Sequence, residues 1–125
     1  ASFTKNIVET YSTLTSAANV AVDLNLATVY NLTLAQNVTG WNLTNASNSY
    51  ATAFTVYVKQ ASAASYTVDS DSFTVNGSGK TVKWPGGTGG AAVMSTGYNS
   101  YSIYTYTSPN GGVDWFGFDG GRNLV

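Results

Sequence analysis

Apolar and polar residues alternate along most of this chain, the period-two pattern of half-buried strands. Val20, Val22, Leu24 and Leu26 alternate with Ala21, Asp23 and Asn25. Tyr30, Leu32 and Leu34 repeat the pattern with Asn31 and Thr33 between them, and Trp41 and Leu43 with Asn42 and Thr44. Phe54, Val56 and Val58 alternate with Thr55, Tyr57 and Lys59. Shorter runs follow at Tyr66/Val68, Phe73/Val75 and Val82/Trp84. Near the end, Tyr101, Ile103 and Thr105 lie opposite Ser102, Tyr104 and Tyr106, and Ile103 assigns its own face to the core. Val113 and Trp115 close the series, with Phe116 and Phe118 on the other face.

Turn residues separate these runs. Asn45 to Ser49 is a polar cluster, Ala61 to Ser65 a small-residue loop, and Asn76-Gly77-Ser78-Gly79 a strong turn signal. Pro85 to Gly90 cannot lie inside a sheet, because proline lacks a donor and glycine packs nothing. Ser108-Pro109-Asn110-Gly111-Gly112 separates Tyr101–Thr107 from Val113–Phe118 and predicts a hairpin. Helix is expected only as a short turn around Ser16–Asn19. The spacing predicts an all-β fold of eight to ten short strands, an antiparallel sandwich or barrel, and of these a single antiparallel β-sandwich, jelly-roll-like, is the reading adopted. Residues 1–125 read as one domain, with 1–19 an N-terminal arm or edge strand.

Composition narrows the function. Charged residues make up only 9% of the 125 positions, against about 25% in an average soluble domain. Five basic and six acidic side chains leave no basic footprint, which excludes phosphate-driven nucleic-acid binding as a main activity. No apolar stretch approaches the ~18 residues of a membrane-spanning helix. Ser, Thr and Asn occupy 43 of the 125 positions and supply a neutral hydrogen-bonding surface. With nine tyrosines and a net charge of -1, such a surface favours self-association within an assembly. The small residue at position 1 suits a trimmed initiator methionine, and the chain reads as a complete small gene product.

Histidine and cysteine are absent, so Ser-His-Asp and Cys-His catalysis, imidazole or thiolate metal sites and disulfides are excluded. Asp69 and Asp71 are the nearest approach to a carboxylate pair. Two apart on a strand, they could share a proton or hold Ca²⁺, but Phe73 stands where the next calcium ligand would fall. A solvated strand edge accounts for them better. Glycosidase chemistry needs two opposed carboxylates, and Glu9, Asp23, Asp69, Asp71, Asp114 and Asp119 are scattered. The reading is therefore no enzyme, no cofactor and no metal. Five Asn-x-Ser/Thr triplets, at Asn31, Asn37, Asn42, Asn45 and Asn76, follow from composition. The aromatic residues could instead stack on a sugar. Core and subunit packing is the stronger explanation, and Trp41, Tyr104 and Tyr106 are the residues placed for an interface or a glycan, Tyr104 and Tyr106 being the expected exposed pair.

The last third carries a resemblance. Val82-Lys83-Trp84-Pro85-Gly86-Gly87-Thr88, a Tyr-rich strand, then Asn110-Gly111-Gly112-Val113-Asp114-Trp115-Phe116-Gly117-Phe118 and Gly120-Gly121-Arg122-Asn123-Leu124 resemble a module common in tailed bacteriophages. It occurs at the C-terminal ends of tail fibres and in other exposed virion proteins, cyanophage proteins among them. Tyr30-Asn31-Leu32-Thr33-Leu34 with Asn37-Val38-Thr39, and Phe54 to Gln60, resemble two of its earlier strands. The chain differs from the usual pattern at Gly89, at Asn99-Ser100 and at Leu124. The resemblance implies a structural module without an active site, in which Trp84, Pro85, Gly86, Gly87, Gly111, Gly112 and Trp115 are structural.

Together these features lead to an expectation: a non-enzymatic virion structural protein on the outside of a phage particle, most simply a capsid decoration (cement) protein that stabilises the head shell. About 19 residues before the first clear strand leave little room for a tail attachment region. The alternatives are a tail-fibre or receptor-binding tip and, in a different class, a carbohydrate-binding module. The expected partners are other copies of the chain, as a homotrimer by resemblance, the major capsid protein or other virion proteins, and in the alternatives a host surface glycan.

Overall fold

The computed structural model describes residues 8–87 and 92–125. The first seven residues of the expected N-terminal arm, and Thr88 to Gly90 of the glycine-rich turn, lie outside the described residues. Nine strands form among the described residues: β1 Tyr11–Thr13, β2 Asn19–Asp23, β3 Val29–Thr33, β4 Gly40–Thr44, β5 Thr52–Lys59, β6 Ser72–Val75, β7 Ser78–Lys83, β8 Tyr101–Ser108 and β9 Trp115–Leu124. No helix occurs among the described residues, and Asn19 begins β2 rather than ending a helical turn.

All nine strands belong to one curled sheet in the order β1-β3-β5-β8-β9-β7-β6-β4-β2. The sheet is mixed, which departs from the all-antiparallel pairing expected of a jelly roll. Only β5–β8, β6–β7 and β8–β9 are antiparallel; β1–β3, β3–β5, β2–β4, β4–β6 and β7–β9 are parallel. The cause lies in the connections. Residues 14–18, 24–28, 34–39 and 45–51 link β1 through β5. Five extended residues cover about 16 Å, ample to cross the ~10 Å between packed sheet layers. The chain uses them to pass between two facing arms, β1-β3-β5 and β2-β4-β6. Each strand therefore lies beside the strand two places earlier, running the same way.

The C-terminal half closes the sheet. Asn76 and Gly77, both at positive φ (49° and 85°), make the two-residue turn of the β6–β7 hairpin. The Asn76 side chain binds Ala46 twice, accepting from its N–H and donating to its carbonyl. The expected hairpin forms between β8 and β9, with Tyr106 opposite Gly117 and Thr107 opposite Phe116. A short parallel ladder, Val82 to Trp115 and Lys83 to Phe116, joins the two arms.

The core lies between the arms and is mostly aromatic. Phe54, Tyr106 and Trp115 from one arm meet Phe73 from the other, with Phe73 and Tyr106 ring centres 4.6 Å apart and Phe54 and Phe73 6.5 Å apart. Trp84 meets the Tyr106 ring edge-on at 5.7 Å. Such pairs contribute about 0.5–1.5 kcal/mol each beyond the area they bury. Val20, Val22, Tyr30, Leu32, Leu34, Trp41, Leu43, Val56, Val58, Val75 and Val82 join the buried cluster, as their alternation predicts, and Val38, Ala46, Met94 and Tyr104 complete it. Leu26 and Val113 do not join it; each lies in a turn beyond its strand and is exposed. Tyr66 and Val68 form no strand, only an isolated bridge between Val38 and Val68.

Candidate interaction face

The residues most able to carry chemistry are occupied in holding the fold. Asp69 and Asp71 are not a free pair on a strand; they precede β6 in a turn. Asp69 Oδ1 accepts the N–H groups of Asp71 and Ser72 at 2.9 and 3.2 Å, which caps that turn. Asp71 Oδ1 accepts the indole N–H of Trp84 at 3.1 Å. Asp114 binds Lys83 Nζ at 2.7 Å and Asn110 at 2.8 Å, and these two partners hold its carboxyl below the usual carboxylate range. Among the described residues no three acidic side chains gather as metal ligands, and every buried side-chain N or O has a hydrogen-bond partner.

The motif residues are explained by packing. Trp84-Pro85-Gly86-Gly87 makes a β-turn closed by Gly87 N–H to Trp84 O at 3.2 Å. Proline presets the second position and Gly86, at φ 92°, supplies the positive angle required at the third. Gly111, at φ 71°, lies against the backbone of Asn48, where an added Cβ would stand 2.5 Å from its carbonyl oxygen. Trp115 is buried and donates its indole N–H to Gly112 O at 3.2 Å. Gly117, which the alternation pattern passes over, carries the indole of Trp84 directly on its Cα. The missing side chain on the core face of a strand, beside a buried tryptophan, was the available signal.

The three residues expected to face an interface or a glycan do not do so. Trp41 is 1% exposed, and Tyr104 and Tyr106 are fully buried. Burial raises the Tyr106 phenol well above its usual range and the Tyr104 phenol to about 12. Register is the cause. Tyr106, Tyr104 and Ser102 stand directly opposite Phe54, Val56 and Val58 of β5, so the core face of β5 becomes the core face of β8. Ser102 and Ser108 look like solvent residues but are buried, bonding Ser95 Oγ and Gly112 N–H. Tyr101, Ile103, Thr105 and Thr107 therefore turn outward.

That reversal creates the most distinctive surface of the molecule, the outer face of the arm β1-β3-β5-β8-β9. Its rows read Thr33-Lys59-Tyr101-Leu124, Asn31-Tyr57-Ile103-Gly121 and Val29-Thr55-Thr105-Phe118 across adjacent strands. Tyr57 and Tyr101, in strands paired on both sides, and Phe118 and Leu124 of β9 are 37–47% exposed, and Tyr11 on the edge strand is 68% exposed. Lys59 and Lys83 lie over the rings of Tyr101 and Phe116, each 5.6 Å from the ring centre. A shallow apolar depression of about 520 Å³ continues the face past Ala53, Thr107, Pro109 and Phe116. The opposite arm has a different exterior: Asn19, Ala21, Asp23, Asn42, Thr44, Ser72, Thr74 and Thr81, without an aromatic side chain.

No family model matches the chain, and no curated protein or solved structure matches it either.

Proposed function

We propose that this chain is a non-enzymatic structural protein of a bacteriophage particle, a decoration (cement) protein that lies on the outside of the head shell and strengthens it. The observation that carries the reading is the outer face of the β1-β3-β5-β8-β9 arm, a broad, nearly neutral surface of threonine and half-exposed aromatic residues. Aromatic side chains bury large area at low entropic cost, and threonine and tyrosine hydroxyls satisfy polar groups across a joint between subunits. The carboxylates serve turns and ion pairs, which accords with a structural role. The residues of the phage-module resemblance hold turns and tryptophans in place, consistent with a module that supplies a scaffold.

A protein that binds only the assembled shell stabilises it by mass action, by about 2.7 kcal/mol per site at a hundredfold excess over the dissociation constant. Particles lacking the protein should still adsorb to cells but rupture at a lower temperature. The alternative, a tail-fibre or receptor-binding tip, predicts lost adsorption with an unchanged rupture temperature. Deleting the gene and measuring both properties on one preparation decides between them. A glycan reading would now rest on Tyr57, Tyr101 and Phe118, and binding on a glycan array that disappears in Tyr101→Ala would favour it over the shell.

A further inference from the structure

β2 ends its arm and pairs on one side only, with β4. Hydrogen bonding fixes which backbone groups are left over. The Ala18 carbonyl accepts from Thr39 and Gly40, and Leu24 N–H donates to Thr44 O, so the even-numbered residues address β4. The N–H and C=O groups of Asn19, Ala21 and Asp23 point the other way. Of these, the Asp23 carbonyl is taken, accepting from Leu26 N–H and from the Tyr30 hydroxyl at 2.6 Å. The others have no partner among the described residues, and Asn19 and Ala21 are exposed.

Edge strands are ordinarily protected by lysine, proline, a bulge or extreme shortness. β2 has five residues, Asn-Val-Ala-Val-Asp, with neither lysine nor proline and no bulge, and its one charge, Asp23, stands at the end of the strand. Its order is also symmetric about Ala21. An antiparallel copy centred there sets Ala21 against Ala21, Asn19 against Asp23 and Val20 against Val22. The Ala21 pair exchanges two backbone bonds, and each flanking pair adds one, from Asp23 N–H to the Asn19 carbonyl, so the occupied Asp23 carbonyl is not required. On the outer face, Asp23 Oδ1 is held by Asn25 N–H at 3.0 Å and Asn45 Nδ2 at 2.8 Å. Its Oδ2 remains to accept the side-chain amide of Asn19 from the other copy.

We infer that two copies of the chain pair antiparallel through their β2 edges about a two-fold axis at Ala21, joining their curled sheets into one. The contact is self-complementary, as an isologous interface requires, and it holds wherever on a particle the protein sits. It leaves the aromatic face of the other arm free.

Sedimentation of the full chain over a dilution series should show a reversible dimer. The sequence has no cysteine, so Ala21→Cys with a short bis-maleimide, which adds one thiol at each end, should give a covalent dimer. Thr81→Cys, exposed on the same arm, should stay uncrosslinked. Ala21→Asp places two carboxylates face to face and should weaken the dimer at least about tenfold, with an unchanged circular dichroism spectrum. A monomer at every concentration, a trimer, equal crosslinking at positions 21 and 81, or an Ala21→Asp dimer of native affinity would overturn the pairing.

Discussion

Gly117→Ala tests the packing at the joint between the arms, where two effects of opposite sign compete. A Cβ at position 117 would stand 2.6 Å from Trp84 Cη2 and 2.7 Å from Cζ2 and Cζ3. Carbon atoms in comfortable contact lie about 3.5–4.0 Å apart, so the indole must retreat by roughly 1 Å. It has little freedom to do so. Its N–H is held by Asp71, its ring packs T-shaped against Tyr106, and Pro85 follows it in a closed turn. Overpacking of this kind costs about 1–3 kcal/mol. Against it, Gly117 does not have positive φ, and alanine in a strand gains about 0.5–1 kcal/mol over glycine. The clash is larger, and Gly117→Ala should destabilise by about 1–2 kcal/mol. Urea titration measures this as a lower midpoint at unchanged slope. In a Trp84→Leu background the space is vacated, and the same alanine should be neutral or stabilising. A native-background midpoint that stays or rises, or a coupling energy below about 0.5 kcal/mol in the double-mutant cycle, would refute the argument.

The other predictions concern buried polar groups, alkaline stability and catalysis. Gln60 is fully buried and donates to the Tyr66 and Ser95 carbonyls while accepting from Tyr66 N–H; Gln60→Leu strands those groups and should cost at least about 2 kcal/mol, with faster exchange of the Tyr66 amide. Tyr106 is held well above the ordinary value of 10.0 and Tyr104 at about 12. The unfolded chain loses these protons first, so stability should be full below about pH 10 and fall above it by about 1.4 kcal/mol per pH unit for each tyrosine. Urea midpoints across that range should show the slope, and Tyr106→Phe should flatten it. Host envelope polysaccharide should give the same mass spectrum with or without the protein; shortened oligosaccharides that vanish in Asp69→Asn/Asp71→Asn would identify an acid pair.

The sequence by itself determined the buried face of several strands. In β3, β5 and β6 one alternate set is more apolar than the other, and Tyr30, Phe54 and Phe73 point inward accordingly. Local chemistry likewise determined the Asn76-Gly77 turn and the β8–β9 hairpin, because few residues tolerate the backbone angles or the donor loss that those turns impose. Tertiary structure decided the rest. In β8 both alternate sets are apolar, Tyr101 and Ile103 on one face and Tyr104 and Tyr106 on the other, so polarity cannot choose between them. Pairing with β5 chooses instead, and the serines at 102 and 108 follow inward because nearby groups supply their hydrogen bonds. The direction of pairing was equally hidden. A five-residue connection can return a strand beside its neighbour or carry it to the facing arm, and only the burial of both inner faces together selects the crossing. The exposed aromatic face, the Trp84–Gly117 contact and the open edge of β2 all follow from that choice, since each depends on residues far apart in sequence that share a side of one sheet.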